Sequence, residues 1–143
     1  TFELTRPIVA IQAVGVARAA LEFATEYAKE RKTFGVPISQ HQSIQNLLAD
    51  MATEIECSRL ITHYASWLGA SGQPFHKAEG SMSKLKASET CVSVTEKAIQ
   101  ILGGYGYIKD YPVEKYYRDS KIYTLFEGTS EIQRMVIARA LTS

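Results

Sequence analysis

Apolar positions in the first part of this chain recur at helical spacing. Ile11, Val14, Leu21, Ala24 and Ala28 follow one another at three, four or seven residues, which places them on one helical face. Val9, Val16, Phe23 and Tyr27 make a second apolar stripe on the same segment. A helix apolar on two sides is buried on two sides, so one side of this helix is expected to meet another domain or subunit. The pattern predicts a start near Pro7, a residue suited to the first helical position, and an end near Lys32.

Gly35 and Pro37 then break the periodicity. Ser39 with Gln42 has capping-box spacing and predicts a second helix. Ile44, Leu47, Leu48, Met51, Ile55, Ile61, Ala65 and Leu68 carry its stripe, and it ends near residues 69–72. A third helix is expected from about Pro74 to Leu102, with Met82, Leu85, Val92, Ile99 and Leu102 on one face. Gly103, Gly104 and Gly106 stop it, and Pro112 opens a short helix through Arg118. Ser130 and Gln133 repeat the capping-box spacing before a last helix, with Ile132, Met135, Val136 and Ala140 expected inward. No strand-like alternation persists. The fold class predicted is all-α, an up-and-down four-helix-type bundle.

Composition narrows the function classes. The 143 residues suit one domain, and 45% apolar with 22% charged residues excludes a disordered tail or a fibrous chain. Sixteen Lys and Arg against fifteen Asp and Glu leave a charge of +1, which argues against a non-specific nucleic-acid binder. No run of the roughly 18 to 20 apolar residues that spans a bilayer is expected. Cys57 and Cys91 lie far apart and outside any CxxC pair, and both are expected as reduced core thiols in a reducing compartment. The chain opens on Thr1 without a signal-like segment and enters a helical pattern at once, so a piece of a longer polypeptide is expected.

A helical bundle raises the question of a di-iron site, which needs Glu-x-x-His pairs. Ile38, Leu60 and Gln73 stand three residues before His41, His63 and His76, so no metal site is expected. Gly103-Gly104-Tyr105-Gly106 follows a helix rather than a strand, which removes the dinucleotide-fold reading. These glycines read either as a helix stop or as bare backbone able to approach a phosphate or carbonyl. Glu127, after an apolar run and before Gly128, either complements a helix N-terminus or is a general base in an apolar, water-poor site. Desolvation would raise the pKa of such a carboxyl group, to ~6 or 7 in tuned cases. Arg31 and Phe34 belong either to a solvated helix end or to a site pairing a phosphate with an aromatic ring. Arg6 is either a charge at the start of the first helix or the anchor of an anionic or polar ligand group.

Taken together these segments are more specific. In order they are Thr5-Arg6-Pro7, Glu30-Arg31-Lys32-Thr33-Phe34-Gly35, His41-Gln42, Gln100-Ile101-Leu102-Gly103-Gly104-Tyr105-Gly106, Tyr117-Arg118-Asp119 and Glu127-Gly128-Thr129-Ser130-Glu131-Ile132-Gln133-Arg134. Over essentially its whole length the chain resembles the C-terminal helical domain of the acyl-CoA dehydrogenase family. The resemblance implies that the family's N-terminal helical domain and middle β domain lie outside these residues. It also implies a homotetramer or dimer with FAD between domains and subunits, and electrons passed to an electron-transferring flavoprotein. The location implied is cytoplasmic, or the mitochondrial matrix in a eukaryote.

The family reaction is α,β-dehydrogenation of an acyl-CoA thioester. A carboxylate removes the α-proton as the β-hydride moves to the flavin, and the matching base is Glu127. One branch of the family carries its base at the position of Thr5 instead, so the arrangement here resembles the short- and medium-chain-like members. The resemblance places Arg31, Thr33, Phe34 and Gln42 on FAD. It places Gln100, Ile101, Leu102, Gly103 and Gly104 on the adenosine side of an FAD held with a neighbouring subunit. Thr129, Ser130 and Glu131 fall beside the FAD next to Glu127, with Glu131 where several relatives have Gln. Glu3 and Arg6 fall near the CoA portion, and Gly128 lies against the thioester. Two other expectations stand beside this one: an acyl-CoA oxidase-like flavoenzyme, and a non-catalytic helical oligomerisation module. The isolated 143 residues are expected to be colourless and inactive.

Overall fold

In the computed structural model, which describes residues 2–143, the first helix buries a stripe of alanines. This helix, α1 (Phe2–Glu30), sets Ala10, Ala13, Ala17, Ala20, Ala24 and Ala28 against its neighbours, with Val9 and Val14 beside them. Small side chains at a contact let helix axes come close. α1 packs chiefly on α3 (Glu79–Leu102) and also on α2 (Gln42–Ala70). Ile11, expected inward, is exposed, and Val16, Leu21, Phe23 and Tyr27 are half-buried. By length and composition alone the segment Glu3–Glu30 is apolar enough to cross a membrane, against the expectation of no such run. Here its alanine face lies inside the bundle.

α1 starts at Phe2, so Pro7 lies within it rather than at its head. Proline has no N–H to offer the carbonyl four residues back. That carbonyl belongs to Glu3, and it lies against Gly80 at the head of α3. The Leu4 side chain meets Gly69 near the end of α2, and Arg6 bonds Ser81. The start of α1, the end of α2 and the start of α3 therefore share one end of the bundle, giving an up-down-up order.

Between α1 and α2 a short hairpin pairs β1 (Lys32–Thr33) with β2 (Val36–Pro37). Its turn residues Phe34 and Gly35 have φ of 53° and 83°, the positive values that tight two-residue hairpins require. A 3₁₀ turn over Ile38–Gln40 follows, and α2 begins at Gln42 with His41 as its cap. The Ser39–Gln42 capping box does not form; Gln45 Nε2 instead donates to the Ser39 carbonyl.

α3 begins at Glu79 rather than Pro74, after Ala78 in the left-handed region. Of the apolar face expected, Leu102 is buried, but the rest of the buried face is different. Ser81, Ser83, Lys84, Ala87, Ser88, Thr95 and Ala98 are buried, whereas Met82, Leu85, Val92 and Ile99 are half-buried. α3 is the shared helix, touched by α1, α2, α5 (Val113–Ser120) and α6 (Ser130–Thr142), and crowding on so many sides favours small residues. Most of these hydroxyls bond within the helix, as when Thr95 Oγ1 donates to the Cys91 carbonyl at 2.7 Å, whereas the Ser81 hydroxyl pairs with Glu3 and Arg6 on α1.

A single turn, α4 (Gly104–Tyr107), leads from α3 to α5, which Pro112 caps. α6 lies along α3 but leaves Ile132 and Met135 exposed and Val136 and Ala140 half-buried; its fully buried side chain is Gln133. The all-α bundle of three long helices and a shorter fourth is as expected. Cys91 is a core thiol, whereas Cys57 is exposed on α2.

Candidate functional site

The residues singled out by sequence gather at the two ends of the bundle. At the end shared by the heads of α1 and α3, a 3₁₀ turn (Lys121–Thr124) leads into the segment holding Glu127 and then into α6. Thr129, not Ser130, caps α6: its Oγ1 accepts from the Ile132 N–H at 3.4 Å. Glu131 sits in the first turn, where its own backbone N–H and then the Thr129 hydroxyl hold its carboxyl group below the ordinary range. The side chain of Gln133 turns inward instead of completing a capping box.

Glu127 and Gly128 are consecutive residues with positive φ, 55° and 90°. Such a backbone is uncommon for a residue with a Cβ. It is held from inside. Gln133 Nε2 donates to the Glu127 carbonyl at 3.1 Å and to the Gly128 carbonyl at 2.9 Å, and Lys84 Nζ donates to the Gly128 carbonyl at 2.7 Å. Lys84 and Gln133 are both 0% exposed. Two carbonyls facing one amide fix which end of Gln133 points at them. Burial pulls the Lys84 ammonium below the ordinary lysine range and Arg6 adds to this, while the Glu127 and Glu131 carboxylates push it back up.

Both carbonyls of the turn thus point into the protein. Among the described residues no hydrogen bond engages the Glu127 N–H, and the Glu127 side chain is exposed. The water-poor setting expected for Glu127 is therefore not supplied by the described residues.

Arg6, 7% exposed, donates to the Glu3 carboxylate and to Ser81 Oγ at 2.6 Å. Its Nη2 lies 3.9 Å from where a Cβ on Gly128 would sit. Glu3 also accepts from the Ser81 N–H at 3.1 Å. The structure so brings Glu3, Arg6, Gly128 and Glu127 to one end of the bundle. Ser130 is buried and Glu131 exposed, and both line a shallow groove of about 330 Å³ with Lys121, Thr124 and Leu125. The Ser130 hydroxyl and Gln133 Oε1 are buried with no hydrogen-bond partner among the described residues.

At the other end of the bundle, Arg31, Thr33, Ile101, Leu102, Gly103 and Gly104 line one open groove of about 500 Å³ with Tyr27, Ile38, Tyr105 and Ile108. Gly103 has φ of 63° and is exposed, with nothing within 4 Å of the place a Cβ would take, while its N–H is used by the Ile99 carbonyl at 2.9 Å. Thr33 Oγ1 and His41 Nε2 are 2.9 Å apart, and the Arg31 guanidinium lies 5.8 Å from the centroid of the Tyr105 ring. A cation, a hydroxyl, exposed glycine backbone and apolar walls fit a dinucleotide cofactor carrying phosphates and an aromatic base. Besides Thr129, Ser130 and Glu131 at the opposite end, three predicted cofactor residues stand outside this groove. Phe34 is 97% exposed at the hairpin tip, edge-on to His41, and Gln42 is exposed on the first turn of α2. Gln100 lines a separate groove of about 730 Å³ with Ile99, Tyr107, Tyr117 and Arg118.

Among the described residues no group of three or more His, Cys, Asp or Glu side chains is placed to hold a metal ion. Sequence reasoning missed Lys84 and Gln133. The one available signal was a lysine on α3 amid Ser81, Ser83, Ala87 and Ser88, a register in which small residues mark a crowded contact.

Comparison with known proteins gives the same assignment. Residues 1–142 match the family model described as acyl-CoA dehydrogenase, C-terminal domain. The chain is 49% identical over 138 residues to the mitochondrial short-chain specific acyl-CoA dehydrogenase of Mus musculus, covering 96% of this chain and 33% of that protein. It is 48% identical over 141 residues to the caffeyl-CoA reductase-Etf complex subunit CarC of Acetobacterium woodii, covering 99% of this chain and 37% of that one. The solved butyryl-CoA dehydrogenase of Megasphaera elsdenii superposes with a TM-score of 0.96 at 43% identity, over 99% of this chain and 37% of that one. The chain thus spans about a third of the length of these relatives. With a family model matched along nearly every residue and the expected bundle observed, the chain belongs to the acyl-CoA dehydrogenase family, as its C-terminal domain.

Proposed function

We propose that the protein to which these residues belong is an FAD-dependent acyl-CoA dehydrogenase in which Glu127 removes the α-proton of an acyl-CoA thioester. The supporting observation is the Glu127-Gly128 turn. Its carbonyls are tied inward to Gln133 and Lys84, while the Glu127 N–H is unengaged and the carboxylate stands free beside it. A thioester α-carbon is a weak acid, so the developing enolate needs donors at its carbonyl oxygen. The Glu127 N–H is one such donor, and in comparable sites a donor of this kind is worth roughly 3 to 4 kcal/mol. In this reading Gly128 lies against the thioester and Arg6 and Glu3 lie near the CoA portion; the three residues share one end of the bundle.

FAD is the family cofactor, and it supplies the hydride acceptor when bound. Arg31, Thr33, Ile101, Leu102, Gly103 and Gly104 would hold its adenosine and phosphate side, with Phe34, Gln42 and Gln100 reaching it from the rim. Thr129, Ser130 and Glu131 would contact an FAD beside Glu127. These two sets sit at opposite ends of α1. At 1.5 Å of rise per residue, Arg6 and Glu30 are about 36 Å apart along that helix. One dinucleotide does not bridge that length, so each FAD takes its two sets of contacts from two copies of the chain. A homodimer or homotetramer meets this need, and the exposed Leu4, Ile8, Ile132, Met135 and Leu141 suit burial in such an assembly. The remaining domains would provide the apolar cover over Glu127.

The substrate proposed is an acyl-CoA, and the electron acceptor is an electron-transferring flavoprotein. The compartment proposed is the cytoplasm, or the mitochondrial matrix in a eukaryote. The test is the full-length protein, assayed for bound FAD and for turnover of a straight- and branched-chain acyl-CoA panel with an artificial electron acceptor. Stoichiometric FAD and acceptor-dependent enoyl-CoA formation are expected. Oxygen-driven turnover without the acceptor would make it an oxidase, and absence of both flavin and turnover would leave an assembly module.

A further inference from the structure

A lysine buried on every side needs a reason. Lys84 lies within α3, where small side chains mark the crowded contacts, and its head reaches the carbonyl of Gly128 in the segment before α6. A buried cation is retained at a cost unless it is bonded, and a methionine of similar length would fill the same space without that cost. The carbonyl it meets is that of the second of two successive residues with positive φ. Gln133 meets the same carbonyl and the one before it, so two fully buried donors converge on two peptide oxygens. Displacement of the turn would break these bonds and move the Glu127 Cα, to which both that residue's N–H and its side chain are attached.

We infer that Lys84 is a positioning residue for the proposed dehydrogenation: with Gln133 it clamps the Glu127-Gly128 turn, so that base and backbone donor keep one placement against the thioester. This inference rests on Glu127 being the base. Lys84 touches neither substrate nor proton; it acts through the Gly128 carbonyl alone.

The test uses the full-length holoenzyme and the acyl-CoA it turns over best. In Lys84→Met the expected result is full FAD content, KM within about twofold of wild type and kcat lower by on the order of 10- to 100-fold, the loss typical of a misplaced reacting group. The kinetic isotope effect with α-deuterated substrate should rise, because proton removal becomes the slow step. Lys84→Gln keeps a shorter donor, so it should recover part of kcat and retain a raised isotope effect. Wild-type kcat and isotope effect in Lys84→Met would overturn the inference, as would a loss of rate that merely follows lost FAD. Should Lys84→Met fail to fold, a wild-type isotope effect in Lys84→Gln overturns it. Glu127→Gln is run alongside: turnover surviving there refutes the base, whereas an inert Glu127→Gln beside an unchanged Lys84→Met refutes the clamp alone.

Discussion

Gly80 and Glu3 meet backbone to backbone: a Cβ on Gly80 would sit 2.2 Å from the Glu3 carbonyl oxygen. The contact exists because Pro7 leaves that carbonyl without its helical donor, and because glycine at the head of α3 gives it room. Gly80→Ala forces α1 and α3 apart at the end where Arg6, Ser81 and Glu127 gather. The expected cost is about 1 to 3 kcal/mol, the usual range for overpacking, read as a lowered unfolding midpoint in denaturant. An unchanged midpoint would contradict the packing described.

Gly128 has its own steric demand. Its φ is 90°, and a Cβ there would approach Gln133 Nε2 to 2.8 Å. Gly128→Ala should displace the Gln133 amide and cut turnover of the full-length enzyme by on the order of 100-fold. FAD should remain bound. Turnover within twofold of wild type would mean that the turn tolerates a different backbone.

The two cysteines should differ in reactivity. Burial pushes the Cys91 thiol up to about 12, so almost no thiolate exists at neutral pH, and its side chain is inaccessible. Cys57 is exposed on α2. A maleimide reagent at pH 7.5 (roughly a unit below the ordinary thiol pKa) should leave Cys91 unlabelled in the native protein and label it on unfolding. Native labelling of Cys91 at the rate of an unfolded control would contradict its placement.

Glu54 on α2 accepts from Lys86 on α3, and this bond holds its carboxyl group below the ordinary value of 4.5. The folded form therefore favours the ionised carboxylate. The resulting stability is present above that value and is lost as pH falls through the lower folded pKa. The pair is half-exposed, so screening keeps its worth to about 0.5 kcal/mol. Glu54→Gln should lower stability slightly at pH 7, and the difference from wild type should shrink as pH falls below the ordinary carboxyl range and through the lower folded pKa. A difference independent of pH would point to packing instead.

What the sequence revealed depended on how each face is built. α1 and α2 were legible because bulky apolar residues repeat along them, and the end of α3 was marked by Gly103 and Gly104. The buried face of α3 was not, because there the helical period is carried by small size. The Ser83 and Thr95 hydroxyls bond their own helix carbonyls, so they enter the core without reading as apolar. Ile132 and Met135 looked inward by period, yet α6 is covered on one side only. The groove at Arg31, Thr33 and Gly103 was anticipated from motifs. The Lys84 and Gln133 contacts were not, since both residue types are ordinarily read as surface. Gln100 points away from Gly103 because the helix turns it onto another face.

The proposed removal of the thioester α-proton by Glu127 can be watched directly through the flavin. Full-length wild type and Glu127→Gln, each loaded with FAD, are mixed anaerobically with a saturating acyl-CoA while flavin absorbance is followed. The wild type should bleach within a single turnover. The variant should perturb the spectrum, as a bound ligand does, and remain oxidised over thousands of wild-type turnover times (at least the 10³-fold loss expected when a chemical step loses an essential group). Bleaching of the variant at a rate near that of the wild type would show that another residue takes the proton.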